Sequence, residues 1–477
     1  MNAIVEAIAG HAASTPDKQA VIIGKESLTY DELWRGILSA SHDLSAIAAN
    51  SVIILAAEKK LGFICYYFAA HLRSLGCVLV DPKASSESLN SIIQALPVRA
   101  YFSSTGDLPD VPSCHYRTDC SDYAETYDFP SLDTVADYMF TTGTTGASKC
   151  VPLTHENLLA SAHNINTFIG NNQRDHEIIA LPLCHSFGLG RLRCAMLAGG
   201  TCTILPNFAN ERKLLKTLSS ENITGFSMVP AAWQYISHLC RDRFIEAAQG
   251  LRFIEIGSAA LPMQDKIFLE ENLPATKICM HYGLTEASRS AFIEFHADRN
   301  KLTTCGKPTP NVEIAIFSSH GSRLATGETG EVCVRGKHVT RGYLSIGREQ
   351  CFYGDFFRTG DMGMMDADGY LHLLGRIKEL INVGGKKVAP DEVEHKLNQL
   401  PGVLESACVA AADPEGILGE VVKAYIVPVE GEKIDGKELQ SLLRKQLEPH
   451  KVPRIIEIRN IPIPRTESGK IQRQKLS

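Results

Sequence analysis

Thr141-Thr142-Gly143-Thr144-Thr145-Gly146-Ala147-Ser148-Lys149 gathers four threonine hydroxyls, a serine, two glycines and a lysine into one loop. Glycines let the backbone turn tightly and bring its N–H groups close to a ligand. Lys149 adds the positive charge a phosphate calls for, so the loop is composed like a phosphate cradle. A solvated Gly/Thr turn fits such a stretch when it stands alone; the terminal lysine and an apparent strand–loop–helix setting favour phosphate. The spacing Gly-x-x-Gly-x-x-Lys departs from the common P-loop, which has four residues between its last two glycines and a Lys-Ser/Thr pair.

Three further groups have the composition of ligand sites at strand ends. Gly257-Ser258-Ala259-Ala260-Leu261 is small enough for a flat or narrow ligand to approach the backbone, although tight packing on the next helix explains it equally. His281-Tyr282-Gly283-Leu284-Thr285-Glu286 offers an aromatic face for a base, a hydroxyl for a phosphate and a hard oxygen ligand for Mg2+. A solvated glutamate is the plain alternative for Glu286. Thr359-Gly360-Asp361 presents a carboxylate able to accept both hydroxyls of a ribose, or simply a turn Asp. Near the end, Pro464-Arg465-Thr466-Glu467-Ser468-Gly469-Lys470-Ile471 displays a lysine on a Ser-Gly turn. It lies within residues 444–477, where nine Lys/Arg stand against three Asp/Glu. Such a bias is either a solvated face or a surface that closes over polyphosphate.

The elements that must position these groups alternate. Residues 138–140 read as a strand before the Thr/Gly loop, and Thr154 as the N-cap of a helix with Leu158, Ala162, Ile165 and Ile169 on one face. The first helix is expected at 28–33, with Thr29 as its cap. Strands are expected at 52–57, 77–80, 99–103, 177–181, 201–205, 225–229, 251–256 and 277–282. Helices are expected at 60–75, 86–96, 189–197, 211–219, 233–244 and 263–271. Continuous apolar strands between helices argue for mostly parallel sheets covered on both faces, with ligands at the strands' carboxyl ends. Strands 312–317 and 330–335 alternate apolar with polar and read as antiparallel. After the Gly- and charge-rich stretch 375–385, which suits a linker or hinge, helices 390–400 and 436–447 and strands 405–411, 421–427 and 455–459 make an α+β unit.

At 477 residues the chain needs two or three domains, and its 44% apolar and 21% charged residues are ordinary for a soluble protein. A net charge of −6 gives no reason to expect nucleic acid. Fourteen scattered cysteines without Cys-x-x-Cys pairs, and no signal peptide, suit reduced thiols in the cytoplasm. The longest uncharged apolar stretch, 61–70, is about half of what spans a bilayer.

In this order, the Thr-rich loop, Tyr-Gly-x-Thr-Glu, Thr-Gly-Asp, Gly-Arg-x-Lys-Glu with Gly-Gly-Lys-Lys, and Ser-Gly-Lys-Ile resemble the motifs of the adenylate-forming superfamily. That group holds acyl- and aryl-CoA synthetases, nonribosomal-peptide adenylation domains and luciferases. The resemblance runs from Leu28-Thr29-Tyr30 to Lys470 and is closest to free-standing acyl- or aryl-CoA ligases; no carrier-protein domain is expected to follow. It implies an α/β fold: a large N-terminal domain (1–377) of mostly parallel sheets wrapped by helices with a small β-rich subdomain, and a small mobile α+β C-terminal domain (378–477).

By the same resemblance, Thr141, Thr142, Gly143, Thr144, Thr145, Gly146 and Lys149 would clasp the β- and γ-phosphates of ATP. Gly257, Ser258, Ala259, His281, Tyr282 and Gly283 would line the adenine and acyl sites. Thr285 would bind the α-phosphate, Glu286 the Mg2+, and Asp361 with Arg376 the ribose. Lys378 would be the hinge and Lys470 would bridge carboxylate and α-phosphate oxygens. Gly384 and Gly385 would line the tunnel of the thiol acceptor, CoA or the phosphopantetheine of a separate carrier protein. Ser148, Cys150 and Arg465 depart from the commonest residues of the pattern without removing a needed charge or donor.

Pro182-Leu183-Cys184-His185-Ser186-Phe187-Gly188-Leu189 matches the acyl-pocket motif, in which His185 would gate the pocket beside Phe187 and Gly188. Residues 183–190 hold no acidic group such as amino-acid-activating relatives use for the ammonium, so the expected substrate is a small-molecule carboxylic acid without an α-amino group, its chain length and aromaticity left open by the sequence. Met228, Val229, Ala259 and Met280 would supply apolar wall. Arg289 is expected either at the surface or beside a second polar group of the substrate. A non-catalytic nucleotide-binding relative would lack the lysine or the Mg2+ carboxylate, and both Lys470 and Glu286 are present.

Overall fold

The computed structural model describes residues 3–104, 106, 111–118, 120, 127–141, 149–220, 222–465 and 471–476. Residues 142–148 of the Thr/Gly loop and Lys470 lie outside the described residues. The chain forms two compact units, Met1–Ile314 with Val334–Phe357, and Ala315–Cys333 with Arg358–Ser477.

The first unit carries two sheets. One has the order Ser113–Cys114, Val98–Phe102, Val52–Ala56, Gly76–Val80, Val135–Thr141, Lys149–Thr154, parallel except for the last pair. The other runs Lys307–Pro308, Ala291–Glu294, Lys277–Tyr282, Phe253–Ile256, Gly225–Met228, His176–Ile179, Thr201–Ile204, Gln19–Ile23, Glu26–Thr29. Its inner pairs are parallel and its edges antiparallel. Successive side chains of a strand face opposite ways. Ile179, Phe253 and Cys279 therefore join the apolar cluster shared with helices Ile4–Ser14, Leu61–Leu72, His155–Ile169 and Ser186–Ala198. Ile178, Ile254 and Ile278 pack on the other face with Leu214, Trp233, Phe244 and Leu269. Burial on both faces is why these strands are continuously apolar. Among the described residues, no helix is long and apolar enough to cross a membrane.

Three expectations need correction here. The first helix is Ile4–Ser14, and the strands Gln19–Ile23 and Glu26–Thr29 precede the helix Tyr30–Asp43 that Thr29 caps. The Thr/Gly loop connects two antiparallel strands rather than a strand and a helix, because Lys149 begins Lys149–Thr154 and lies opposite Thr141. Thr359-Gly360-Asp361 is not a strand end: it lies within Phe356–Met365, where Gly360 takes a positive φ of 73°.

The second unit packs helices Pro390–Leu397 and Gly436–Leu443 on a sheet of Val403–Ala412, Glu420–Pro428 and Ile455–Ile458. Val393, Leu397, Cys408, Val422, Ile426, Leu439 and Leu443 form its core. Residues 375–385 comprise the end of strand Leu371–Arg376, the 3-10 turn Ile377–Glu379 and the hairpin Ile381–Val383/Lys386–Val388, with Gly384 and Gly385 at its tip. Both glycines have positive φ, 57° and 86°, a conformation that glycine adopts without steric cost.

Candidate active site

Parallel strands deliver their ends to one rim of the larger sheet: Met228-Val229, Ile256-Gly257 and the 282–286 segment all follow strands that run side by side. Ser258 sits at φ 77°, uncommon for a residue with a Cβ. A Cβ on Gly257 would overlap the His281 ring, and one on Gly283 would overlap the backbone N of Arg289. The small residues are thus required by close packing on their inner side. Met228 is fully buried, while Val229 and Met280 are half-buried against the same cluster. Tyr282 is 9% exposed.

His185 is the exposed N-cap of Ser186–Ala198. Phe187 turns inward, edge-on to His281 at 4.7 Å between ring centroids. A Cβ on Gly188 would collide with the Pro182 carbonyl.

Glu286 is 8% exposed, and its Oε1 accepts a hydrogen bond from the Tyr343 hydroxyl at 2.6 Å. The Lys149 ammonium stands 4.6 Å from the centroid of the same Tyr343 ring. Backbone contacts fix this arrangement. Thr340 N donates to Glu286 O at 2.8 Å, Ala287 bridges to Val339, and Thr340 Oγ1 donates to Pro152 O at 2.6 Å. The 339–344 segment therefore ties the strand that begins with Lys149 to the Thr285-Glu286 turn. Sequence reasoning did not single out Tyr343; Arg341-Gly342-Tyr343 carries no charge pattern that announces a site.

Arg289 is neither a surface residue nor a free ligand for substrate. It is 2% exposed, with φ 54°, and its Nε lies 3.1 Å from Glu255 Oε1. His281 Nδ1 is 2.7 Å from the same oxygen, and Arg191 Nη1 is 3.2 Å from Oε2. Arg191 also binds Glu177 at 2.6 Å. Burial opposes the Glu255 charge, yet Arg289, then His281 and Arg191, hold its carboxyl below the ordinary range. Burial likewise lowers the His281 pKa against the pull of Glu255. The His281 ring is thus committed to a buried ionic cluster under Gly257.

In the second unit, Asp361 faces Arg376 across antiparallel strands, with Oδ1 2.9 Å from Nε. Arg376 Nη1 donates to Thr359 O at 2.9 Å, and Thr359 Oγ1 donates to Val332 O at 2.7 Å. Asp361 is 3% exposed, so its carboxylate is oriented before any ligand arrives. Lys378 lies in the 3-10 turn, and Gly384 N donates to Leu418 O at 3.0 Å.

Comparison with known proteins gives the family and the fold. Residues 8–344 match the family described as AMP-binding enzyme, and residues 392–470 match the AMP-binding enzyme C-terminal domain. The chain is 31% identical to a feruloyl-CoA synthase of an Amycolatopsis species, over 96% of this chain and 95% of that protein. It is 32% identical to a sulfoacetate–CoA ligase of Cupriavidus necator, over 82% of this chain and 75% of the relative. ATP-bound MatB from Rhodopseudomonas palustris superposes with a TM-score of 0.90 at 24% identity, covering 100% of this chain and 98% of that one. The chain belongs to the AMP-binding enzyme family, within the adenylate-forming superfamily of AMP-forming acid–thiol ligases.

Proposed function

We propose that the protein activates a carboxylic acid with ATP to an acyl-adenylate and then passes the acyl group to CoA. The observation that carries this reading is the Lys149–Tyr343–Glu286 cluster beside Thr285, at the strand ends where the order of motifs calls for a triphosphate site. The match to relatives named as CoA ligases supports CoA as the acceptor, with the phosphopantetheine of a separate carrier protein as the second reading. None of the fourteen cysteines is in a disulfide, which suits a reducing cytoplasm.

In the first step a carboxylate oxygen attacks the α-phosphorus, the bond to the β-phosphate breaks and pyrophosphate leaves. The loop from Thr141 to Lys149 would hold the leaving pyrophosphate. Thr285 would donate to the α-phosphate, and Lys470 would offset charge between carboxylate and phosphate oxygens. Asp361 and Arg376 would hold the ribose, and Gly257, Ser258, Ala259, Tyr282 and Gly283 the adenine side. The Glu286 carboxylate is a hard oxygen donor of the type Mg2+ accepts, and its contact with Tyr343 orients it. A bound Mg2+ would supply Lewis-acid stabilisation of phosphate charge. In the second step the thiol sulfur attacks the acyl carbon, its proton is lost, the C–O bond to AMP breaks and the thioester forms. His185 would gate the acyl pocket, Gly384 and Gly385 would line the thiol path, and a C-terminal domain of residues 378–477 would turn about Lys378 between steps.

The test is pyrophosphate release from ATP with a panel of carboxylic acids, followed by AMP release on adding CoA or a phosphopantetheinylated carrier protein. Acid-dependent pyrophosphate release and CoA-dependent AMP release are expected. AMP release with the carrier protein alone would move the assignment to the second reading, and no acid-dependent release would overturn both.

A further inference from the structure

We propose that Arg289, locked to Glu255, closes the inner end of the acyl site and restricts the enzyme to short carboxylic acids. This rests on the acyl-activating function proposed above. The residues matched to the acyl site lie on helix Ser186–Ala198 (Phe187, Gly188) and directly after the strands Phe253–Ile256 (Gly257) and Lys277–Tyr282 (Gly283). A long apolar chain passing inward between that helix and those strands needs an open, apolar-lined channel. The space holds a guanidinium instead.

Arg289 donates four hydrogen bonds. Nη1 donates to Ser186 O and Ser288 Oγ, both at 3.0 Å, Nη2 to Phe187 O at 3.0 Å, and Nε to Glu255. Its guanidinium also covers the Phe187 ring at 4.7 Å from the centroid. A Cβ on Gly190 would lie only 2.6 Å from Arg289 Nη1, so the helix and the guanidinium are in direct contact with no passage between them. His281 fills the neighbouring space beneath Gly257 in the same manner. Moving Arg289 aside would cost two first-turn helix carbonyls their second donor and weaken the pairing of a carboxylate that is fully buried. With those donors occupied, Arg289 selects by length rather than by pairing with a second acidic group of the substrate. Its left-handed backbone is a sparsely populated conformation held in place by this packing.

The experiment measures pyrophosphate release with straight-chain acids from acetate upward. For the wild-type enzyme, kcat/KM is expected to fall by about tenfold with each methylene past a short limit. The double variant Glu255→Gln/Arg289→Met removes the plug without leaving a lone buried charge, and it should move the optimum to longer acids. Retention of an ATP-induced rise in melting temperature identifies a folded variant. Efficient use of long acids by the wild type overturns the inference and leaves the proposed function standing. So does an unchanged length profile in a folded double variant, or in the fallback single variant Arg289→Met, in which Glu255 keeps Arg191 and His281, should the double one not fold. No release with any acid overturns both.

Discussion

A hydroxyl donor 2.6 Å from the Glu286 carboxylate, on a ring that also faces Lys149, links two charges of opposite sign without neutralising either. Tyr343 thereby positions Glu286 and supports the ammonium through its ring face. A hydrogen bond to a charged acceptor contributes about 1.5–3 kcal/mol, so losing it should cost about tenfold or more. Tyr343→Phe keeps the ring and removes the hydroxyl. We expect the Mg2+ concentration needed for half-maximal pyrophosphate exchange to rise about tenfold, while exchange at saturating Mg2+ falls less. Binding of Mn2+ in the presence of ATP, followed by electron paramagnetic resonance, should weaken in parallel. Superposable Mg2+ profiles would show that Glu286 is oriented without Tyr343. Neither this role nor the burial of Arg289 was readable from the sequence. Tyr343 reaches Glu286 across 57 residues and Arg289 reaches Glu255 across 34, and a single chain does not announce such partners.

Helix starts behave differently because their chemistry is local. Thr154 Oγ1 accepts from Asn157 N at 3.2 Å and Asn157 Oδ1 accepts from Thr154 N at 2.9 Å, so the cap is complete within four residues. Its position was legible from the polar residue preceding a helical apolar pattern. Asn157 also donates to Lys337 O and Val339 O, both at 2.8 Å, and so anchors the segment that carries Tyr343. Thr154→Ala should therefore lower unfolding free energy by about 1 kcal/mol in urea titrations. Asn157→Ala should cost more, because it strips two carbonyls of their donor as well as opening the cap. Equal losses would mean that the 337–339 contacts contribute nothing. The parallel strands were legible for the same local reason, since burial on both faces leaves a continuous apolar run. The hairpin after the Thr/Gly loop was not. Pro152 lies within Lys149–Thr154, a position tolerated because that strand is at the sheet's edge, and edge status depends on the assembled sheet. The helix Ile4–Ser14 lacks a side-chain N-cap, which removed the usual start signal.

Over the whole molecule, buried histidines couple folding to pH. His155 is 2% exposed, Nε2 has no hydrogen-bond partner among the described residues, and burial, reinforced by His71, lowers its pKa to about 3. Asp137 and Arg193 also face this cluster, and Asp137 pulls the other way. His338, lowered to about 4 by burial, behaves alike. An unfolded histidine titrates near 6.5, so between about 6.5 and the folded value the unfolded chain binds more protons than the native one. Stability contributed by these neutral rings is complete above that window and is lost as pH falls through it. Each ring should cost about 2 kcal/mol between pH 7 and pH 5. Glu177, raised to about 7 by burial against Arg191, titrates in the same range with the opposite sign, so the histidine share must be read as a difference. His155→Phe preserves a ring beside His71, whose centroid lies 5.0 Å away, and removes the titration. The wild type should lose about 2 kcal/mol more than His155→Phe when urea unfolding is repeated at pH 7 and pH 5. Parallel losses in the two proteins would mean that His155 gains its proton in the native state without cost, and that the acid sensitivity of the fold resides elsewhere.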